Sequence, residues 1–201
     1  EANAVQEASR QEIARLLCDN VDKLKTVSKE LVRYSQINTK PETLRKETIN
    51  MKLLLDSVIE GFQVQLQAKS ISLKKLVRPV ELSGIREQLH SIIEQLMSNA
   101  VKYSPAGGEI RIMLRDSGKQ MELEVEDEGP GIEPDERTHV FEPFFRGKNA
   151  PGDGKVESLG LGLAIVKEYV ATHHGKVEII DARHDQHGAR IRVQIPLTGE
   201  V

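Results

Sequence analysis

Ile13, Leu17, Val21, Leu24, Val27, Leu31 and Tyr34 recur at steps of three and four, and charged residues fill the gaps between them. That spacing predicts one long amphipathic helix from about Ser9 to Ile37, stopped by Pro41, with Ser9 and Glu12 placed as a capping box. A stripe this narrow on an isolated helix cannot bury itself. It calls for partner helices, most simply a hairpin mate and a second copy, or else the helix is merely solvated. The chain must therefore build its own core elsewhere, and 201 residues leave room for one ordinary domain beyond this helix.

Charge does not select the partner. Charged residues make up 29% of the chain and the formal net charge is -3, a balanced surface that argues against nucleic acid or a membrane face as the main partner. The single cysteine, Cys18, excludes an internal disulfide framework and a cysteine-rich zinc site. No stretch approaches the roughly 20 apolar residues of a membrane span. The chain opens on Glu1-Ala2-Asn3 in helix-like sequence, so the expectation is a piece of a longer protein.

A second unit is expected over 48–201. Asn50 can cap a helix carrying Met51, Leu54, Leu55, Val58, Ile59, Phe62 and Leu66, followed by strand-like sequence from Ile71 to Val77. Leu89 to Tyr103 reads as a helix, and Pro105-Ala106-Gly107-Gly108 as a turn into a strand from Glu109 to Leu114. Met121 to Glu126 is its hairpin mate. His139 is placed at the end of a short helix. Leu161 to His173 reads as a helix, and Lys176 to Asp181 and Ala189 to Pro196 as two further strands. About five strands and three helices give an α+β, two-layer α/β sandwich. Gly147 to Ser158, rich in glycine and polar residues, is expected to be mobile.

Four segments carry the chemistry. On the 89–103 helix, Leu89, Ile93, Leu96 and Ala100 form one face, with Gln95, Asn99 and Lys102 on a polar flank. Asparagine is mildly unfavourable inside a helix, and an amide oxygen offered to Mg²⁺ is one reason for Asn99; the wet edge of an amphipathic helix is the other. Asp127-Glu128-Gly129-Pro130-Gly131-Ile132 ends a strand with two glycines, so that a flat ligand can approach and Asp127 can accept from an amino group; an ordinary acidic turn is the alternative. Ser158-Leu159-Gly160-Leu161-Gly162-Leu163-Ala164-Ile165 opens a helix on a glycine pair, a start suited to anions. It is neither a dinucleotide fingerprint, since Ile165 stands at the third glycine position, nor the Gly-Lys phosphate loop. Phe141-Glu142-Pro143-Phe144-Phe145-Arg146-Gly147 holds three of the four phenylalanines. It can anchor the base of the mobile loop, with Arg146 as a planar phosphate donor.

In this order, and together with Gln95-Leu96-Met97-Ser98-Asn99-Ala100-Val101-Lys102-Tyr103, the four segments resemble the asparagine box, first glycine box, phenylalanine box and second glycine box of sensor histidine kinases. The resemblance implies the Bergerat ATP-binding fold and the cofactors ATP and Mg²⁺. It implies Mg²⁺ on Asn99, with Gln95 a further candidate in a place where the family usually has asparagine. It implies Lys102 at the phosphates, Tyr103 beside the base and Asp127 on the adenine amine. It further implies an ATP site drawn from Gly129, Gly131, Ile132, Phe144, Arg146, Gly147, Leu159, Gly160, Leu161, Gly162 and Leu163, under a lid from Gly147 to Ser158. Residues 1–40 resemble the second helix of the family's dimerisation hairpin.

None of the six histidines has the family's phosphoacceptor setting, so no catalytic residue is assigned in this chain, and it is expected to bind ATP without phosphorylating itself. His184 and His187 could chelate a metal by spacing, but a polar turn explains them as well. By resemblance the partners are a response-regulator receiver domain and a second copy through the hairpin. The setting is cytoplasmic, with the parent anchored in a bacterial inner membrane by segments upstream. Three rivals remain: a serine kinase resembling anti-sigma factors, which lacks the long helix; a non-catalytic nucleotide-sensing module; and a gyrase-like clamp, which wants a glutamate where Gln95 stands.

Overall fold

A computed structural model describes residues 45–149, 159–182 and 188–197, with positions 13, 14, 17, 20, 21, 24, 25, 27, 28, 31, 32, 34 and 35. Those positions between 13 and 35 are all helical and are called α1. The stripe residues Ile13, Leu17, Val21, Leu24 and Leu31 are exposed along it. Cys18, His184, His187 and the 150–158 part of the expected lid lie outside the described residues.

The remaining elements run β1 (Glu47–Asn50), α2 (Met51–Gly61), α3 (Gln63–Ala68), β2 (Ser72–Val77), β3 (Glu81–Gly84), α4 (Arg86–Tyr103), β4 (Glu109–Asp116), β5 (Gln120–Asp127), α5 (Gly162–Thr172), β6 (Lys176–Ile180) and β7 (Arg190–Pro196). Five strands form one mixed sheet in the order β2-β4-β5-β7-β6. β2 runs parallel to β4, and the other neighbours are antiparallel. The helices cover one face. Leu54, Leu55 and Val58 of α2, Leu89, Ile93 and Leu96 of α4, and Val166 and Val170 of α5 bury against Ile110, Ile112 and Leu114 of β4, Leu123 and Val125 of β5, and Ile191 and Val193 of β7. Period two on the strands and period 3.6 on α4 are what bring these apolar sets together.

Local sequence explains the boundaries. Asn50 caps α2 by accepting from the Leu53 amide at 3.0 Å. The expected single helix from Met51 to Leu66 is instead two. It breaks after Gly61, where Phe62 leaves helical geometry and its amide turns back to Ile59 at 2.9 Å. In the 116–119 hairpin turn, the Gly118 amide donates to the Asp116 carboxylate at 2.6 Å. A two-stranded ribbon, β1 with β3, joins Ile49 to Leu82 across a gap in sequence that gives no local sign of pairing. The short helix expected to end at His139 is a run of turns, closed by hydrogen bonds from the His139 and Val140 amides to Glu136.

β5 is central, and the chain leaves its end at Asp127 to return only at α5. The described parts of that excursion, 128–149 and 159–161, gather beside the C-terminal half of α4, where the cleft lies.

Candidate functional site

One wall of the cleft is α4, which presents Gln95, Ser98, Asn99, Lys102 and Tyr103. Its last turn is held by Lys69, whose ammonium donates to the carbonyls of Val101 at 2.8 Å, Lys102 at 2.9 Å and Ser104 at 3.1 Å. A cation on the unpaired carbonyls of a helix end is favourable, and here it steadies the turn carrying Lys102 and Tyr103. The Lys102 ammonium stands 5.5 Å from the centre of the Tyr103 ring. Nothing in the sequence pointed to Lys69, because its partners lie more than thirty positions away.

The floor is the end of β5. Asp127 is only 7% exposed, and its Oδ1 accepts from the Gly129 amide at 2.8 Å and, more weakly, from the Ala189 amide at 3.4 Å. Burial pushes this carboxyl up from its ordinary 3.8 to about 6, against the pull of the two amides and with a further push from Glu126. No side chain among the described residues pairs with it. It is a buried acceptor without a cation, and a ligand N–H donor is what would complete it. Glycine is required at 129, since a Cβ there would lie 2.7 Å from Asp127 Oδ1 and 2.8 Å from the Tyr103 carbonyl. The turn can thus lie against both the carboxylate and the end of α4.

Opposite stands the start of α5. Among the described residues no side chain caps its first turn, and Gly160, Gly162 and Leu163 at this start line the cleft. Gly160 takes a left-handed φ of +72°, and any Cβ there would collide with the Phe145 carbonyl. A Cβ on Gly162 would sit 2.6 Å from Gln95 Oε1, so this glycine lets α5 close onto α4. Leu161, between them, is fully buried and anchors the turn.

The phenylalanine segment divides its work. Phe141 is buried, while Phe145 lines the cleft and stacks on His139 with ring centres 6.0 Å apart. Phe144, expected beside the nucleotide, is 58% exposed outside the cleft wall. It has a left-handed φ of +65°, and its ring meets Tyr34 of α1 edge-on at 6.2 Å. Local backbone geometry sets this: the Phe144 amide donates to Gly160 at 3.1 Å, which turns consecutive rings to opposite sides.

Of the residues expected from sequence, Gln95, Asn99, Lys102, Tyr103, Asp127, Gly131, Ile132, Arg146, Gly147, Gly160, Gly162 and Leu163 line this one cleft. Gly129, Leu159 and Leu161 do not line it; Gly129 and Leu161 are buried and Leu159 half-buried. Sequence reasoning missed Ser98, Pro130, Glu136, Val140, Phe145, Asn149, Ala189 and Ile191. Ser98, Pro130 and Phe145 sat inside the quoted motifs, whereas Ala189 and Ile191 arrive only through the pairing of β7 with β5. Glu136 is buried, and its Oε1 accepts from the Lys148 amide at 2.8 Å, fixing the outgoing end of the Phe141–Gly147 stretch. Among the described residues no three histidine, cysteine or acidic side chains converge as a metal cage. Gln95, Asn99 and Asn149 are the amide side chains that line the cleft.

Residues 84–199 match the family described as histidine kinase-, DNA gyrase B-, and HSP90-like ATPase. The sensor protein kinase PmrB of Pseudomonas aeruginosa is 27% identical over 179 residues, covering 89% of this chain and 37% of that protein. The chain thus spans well under half of such relatives. The solved structure of a mycobacterial sensor histidine kinase, MprB, is 32% identical with a TM-score of 0.66, over 75% of this chain and 97% of that one. The histidine kinase ThkA, solved in complex with the response regulator protein TrrA, shares the fold at 22% identity and a TM-score of 0.72, over 91% of this chain and 50% of that one.

Proposed function

We propose a phosphotransfer role for this chain, which belongs to the histidine kinase-, DNA gyrase B- and HSP90-like ATPase family and carries the ATP-binding catalytic domain of a sensor histidine kinase. The observation that carries the reading is one cleft with a buried, cation-free carboxylate at one end and an uncapped glycine helix start at the other. Those are the complements of an adenine amine and of a phosphate chain.

In this reading Asp127 accepts from the exocyclic amine and rejects a carbonyl at that position. Tyr103 and Ile132 flank the base. Lys102, Arg146 and the first amides of α5 neutralise the phosphates, and Asn99 orients a Mg²⁺ ion with Gln95 beside it. Bound ATP with Mg²⁺ supplies the γ-phosphoryl group and the charge that polarises it. The chain's residues would position that group, and none of the described ones is assigned as nucleophile or base. The acceptor is a histidine on a dimerisation hairpin to which α1 belongs as the second helix, and a response-regulator aspartate takes the phosphoryl next. The site works on the cytoplasmic side of a membrane-anchored parent; among the described residues no helix is long and apolar enough to cross a membrane.

Calorimetric titration with a non-hydrolysable ATP analogue tests the site. The wild type is expected to bind with Mg²⁺, and Asn99→Ala to lose the Mg²⁺ dependence. A wild type that ignores adenine nucleotides at every metal concentration overturns the reading in favour of a non-catalytic interaction module.

A further inference from the structure

The far ends of α4 and α5, away from the cleft, meet through a buried histidine that the ATP site does not use. His173, just past the end of α5, lies against Ile85, the residue that precedes α4. The Ile85 amide donates to His173 Nε2 at 3.0 Å, and His173 Nδ1 lies 2.7 Å from the Tyr169 carbonyl. An amide can only donate and a carbonyl can only accept, so the ring carries its proton on Nδ1 and leaves Nε2 bare. Burial holds this imidazole below the ordinary histidine range, against the Tyr169 bond and helped by Lys46 and His174. α4 has no side-chain cap of its own at Ile85, so His173 serves an amide that the helix leaves open.

The two helices run antiparallel and pack against each other, with His173 against Ile85 at one end and Gly162 close to Gln95 at the other. At 1.5 Å per residue the two places are about 15 Å apart along α4 and about 16 Å along α5, so fixing one sets the register at the other. We propose that His173 is a positioning residue for nucleotide binding, a latch that registers α5 against α4 so that the α5 amides and Asn99 address the same phosphates. The inference rests on the ATP reading above. It assigns to His173 no contact with ligand.

A merely stabilising histidine would affect every ligand alike, whereas a register latch matters only to a ligand that touches both helices. The full chain is titrated with the ATP analogue plus Mg²⁺ and, by NMR shift changes, with adenosine, which reaches Asp127 and Tyr103 but not the α5 amides. His173→Asn keeps a group at the Nδ1 position and removes the acceptor for Ile85, while His173→Gln returns an acceptor at the reach of Nε2. His173→Asn is expected to weaken the ATP analogue roughly tenfold, the worth of one buried hydrogen bond, while adenosine affinity holds and His173→Gln recovers most of the loss. Equal loss for both ligands, or no loss for either, overturns the latch. Should His173→Asn fail to fold, the glutamine variant decides by hydrogen exchange at Ile85: a protected amide with ATP affinity kept supports the latch, and a protected amide with affinity lost overturns it. A wild type that binds neither ligand overturns the ATP reading, and the latch with it.

Discussion

Asp127 and Glu124 lie three residues apart on β5 and are both almost wholly buried, yet their chemistry runs in opposite directions. Glu124 belongs to the sheet face without helices. There Arg190 reaches it at 2.6 Å and Arg192 at 2.8 Å, and Arg115 pairs similarly with neighbouring Glu122. Burial raises the Glu124 carboxyl, but its two arginines together outweigh burial and hold it below the ordinary range. Asp127 faces the cleft, where among the described residues only backbone amides reach it, and burial wins, up to about 6. Burial thus does not decide protonation by itself; a fixed cation does. The helix-free face spends its arginines on its own carboxylates, and the cleft keeps one carboxylate uncompensated for a ligand.

Asp127→Asn should break the comparison most sharply. It removes the acceptor at the adenine amine, and binding of the ATP analogue should fall by about a hundredfold or more in calorimetry, the scale of a buried polar mismatch. The same change should stabilise the ligand-free chain at pH 7 by about 3 kcal/mol, because asparagine keeps an acceptor for Gly129 without a buried charge. Chemical denaturation checks this, and equal or lower stability would refute the account of the floor. Glu124→Gln should do the reverse and cost about 3 kcal/mol, since two arginines lose their shared anion.

The pH dependence sharpens the sign. The folded carboxyl of Asp127 is raised, so its contribution favours the fold fully below 3.8 and is lost as pH rises through about 6. The advantage of Asp127→Asn over the wild type should therefore shrink between pH 7 and pH 4, as melting of the two proteins side by side would reveal. Asp56 is the mild control. It too has two cations, Lys52 at 3.1 Å and Lys75 at 2.9 Å, but its side chain is 33% exposed. Solvent screens such a pair, and Asp56→Asn should cost less than about 1 kcal/mol. A larger cost would mean that cation count, not burial, sets the worth of these pairs.

Much of the fold was legible because its causes are local. Asn50 announced a cap, the alternating runs 109–114 and 121–126 a hairpin, and the spacing of Leu89, Ile93, Leu96 and Ala100 a buried helix face. The β1–β3 ribbon was not, since two four-residue strands carry too little pattern to declare a pairing so far along the chain. The site divides in the same way. Asn99, Asp127 and the Gly160–Gly162 pair stood out as residue types out of place in their elements. Glu136, Lys69 and His173 are ordinary residues whose meaning lies in which distant amide or carbonyl they reach.

The sequence by itself determined the helices and strands of the main sheet layer apart from the break between α2 and α3, the four motifs and the family, because periodicity, caps and glycine spacing are written in neighbouring residues. Only the tertiary structure decided that Phe145 rather than Phe144 faces the cleft, that Asp127 is buried with no cation among the described residues while Arg190 and Arg192 hold Glu124, and that α4 is tied at one end by Lys69 and at the other by His173. Desolvation and partner choice depend on groups that are close in space and far apart along the chain, and no local pattern encodes them.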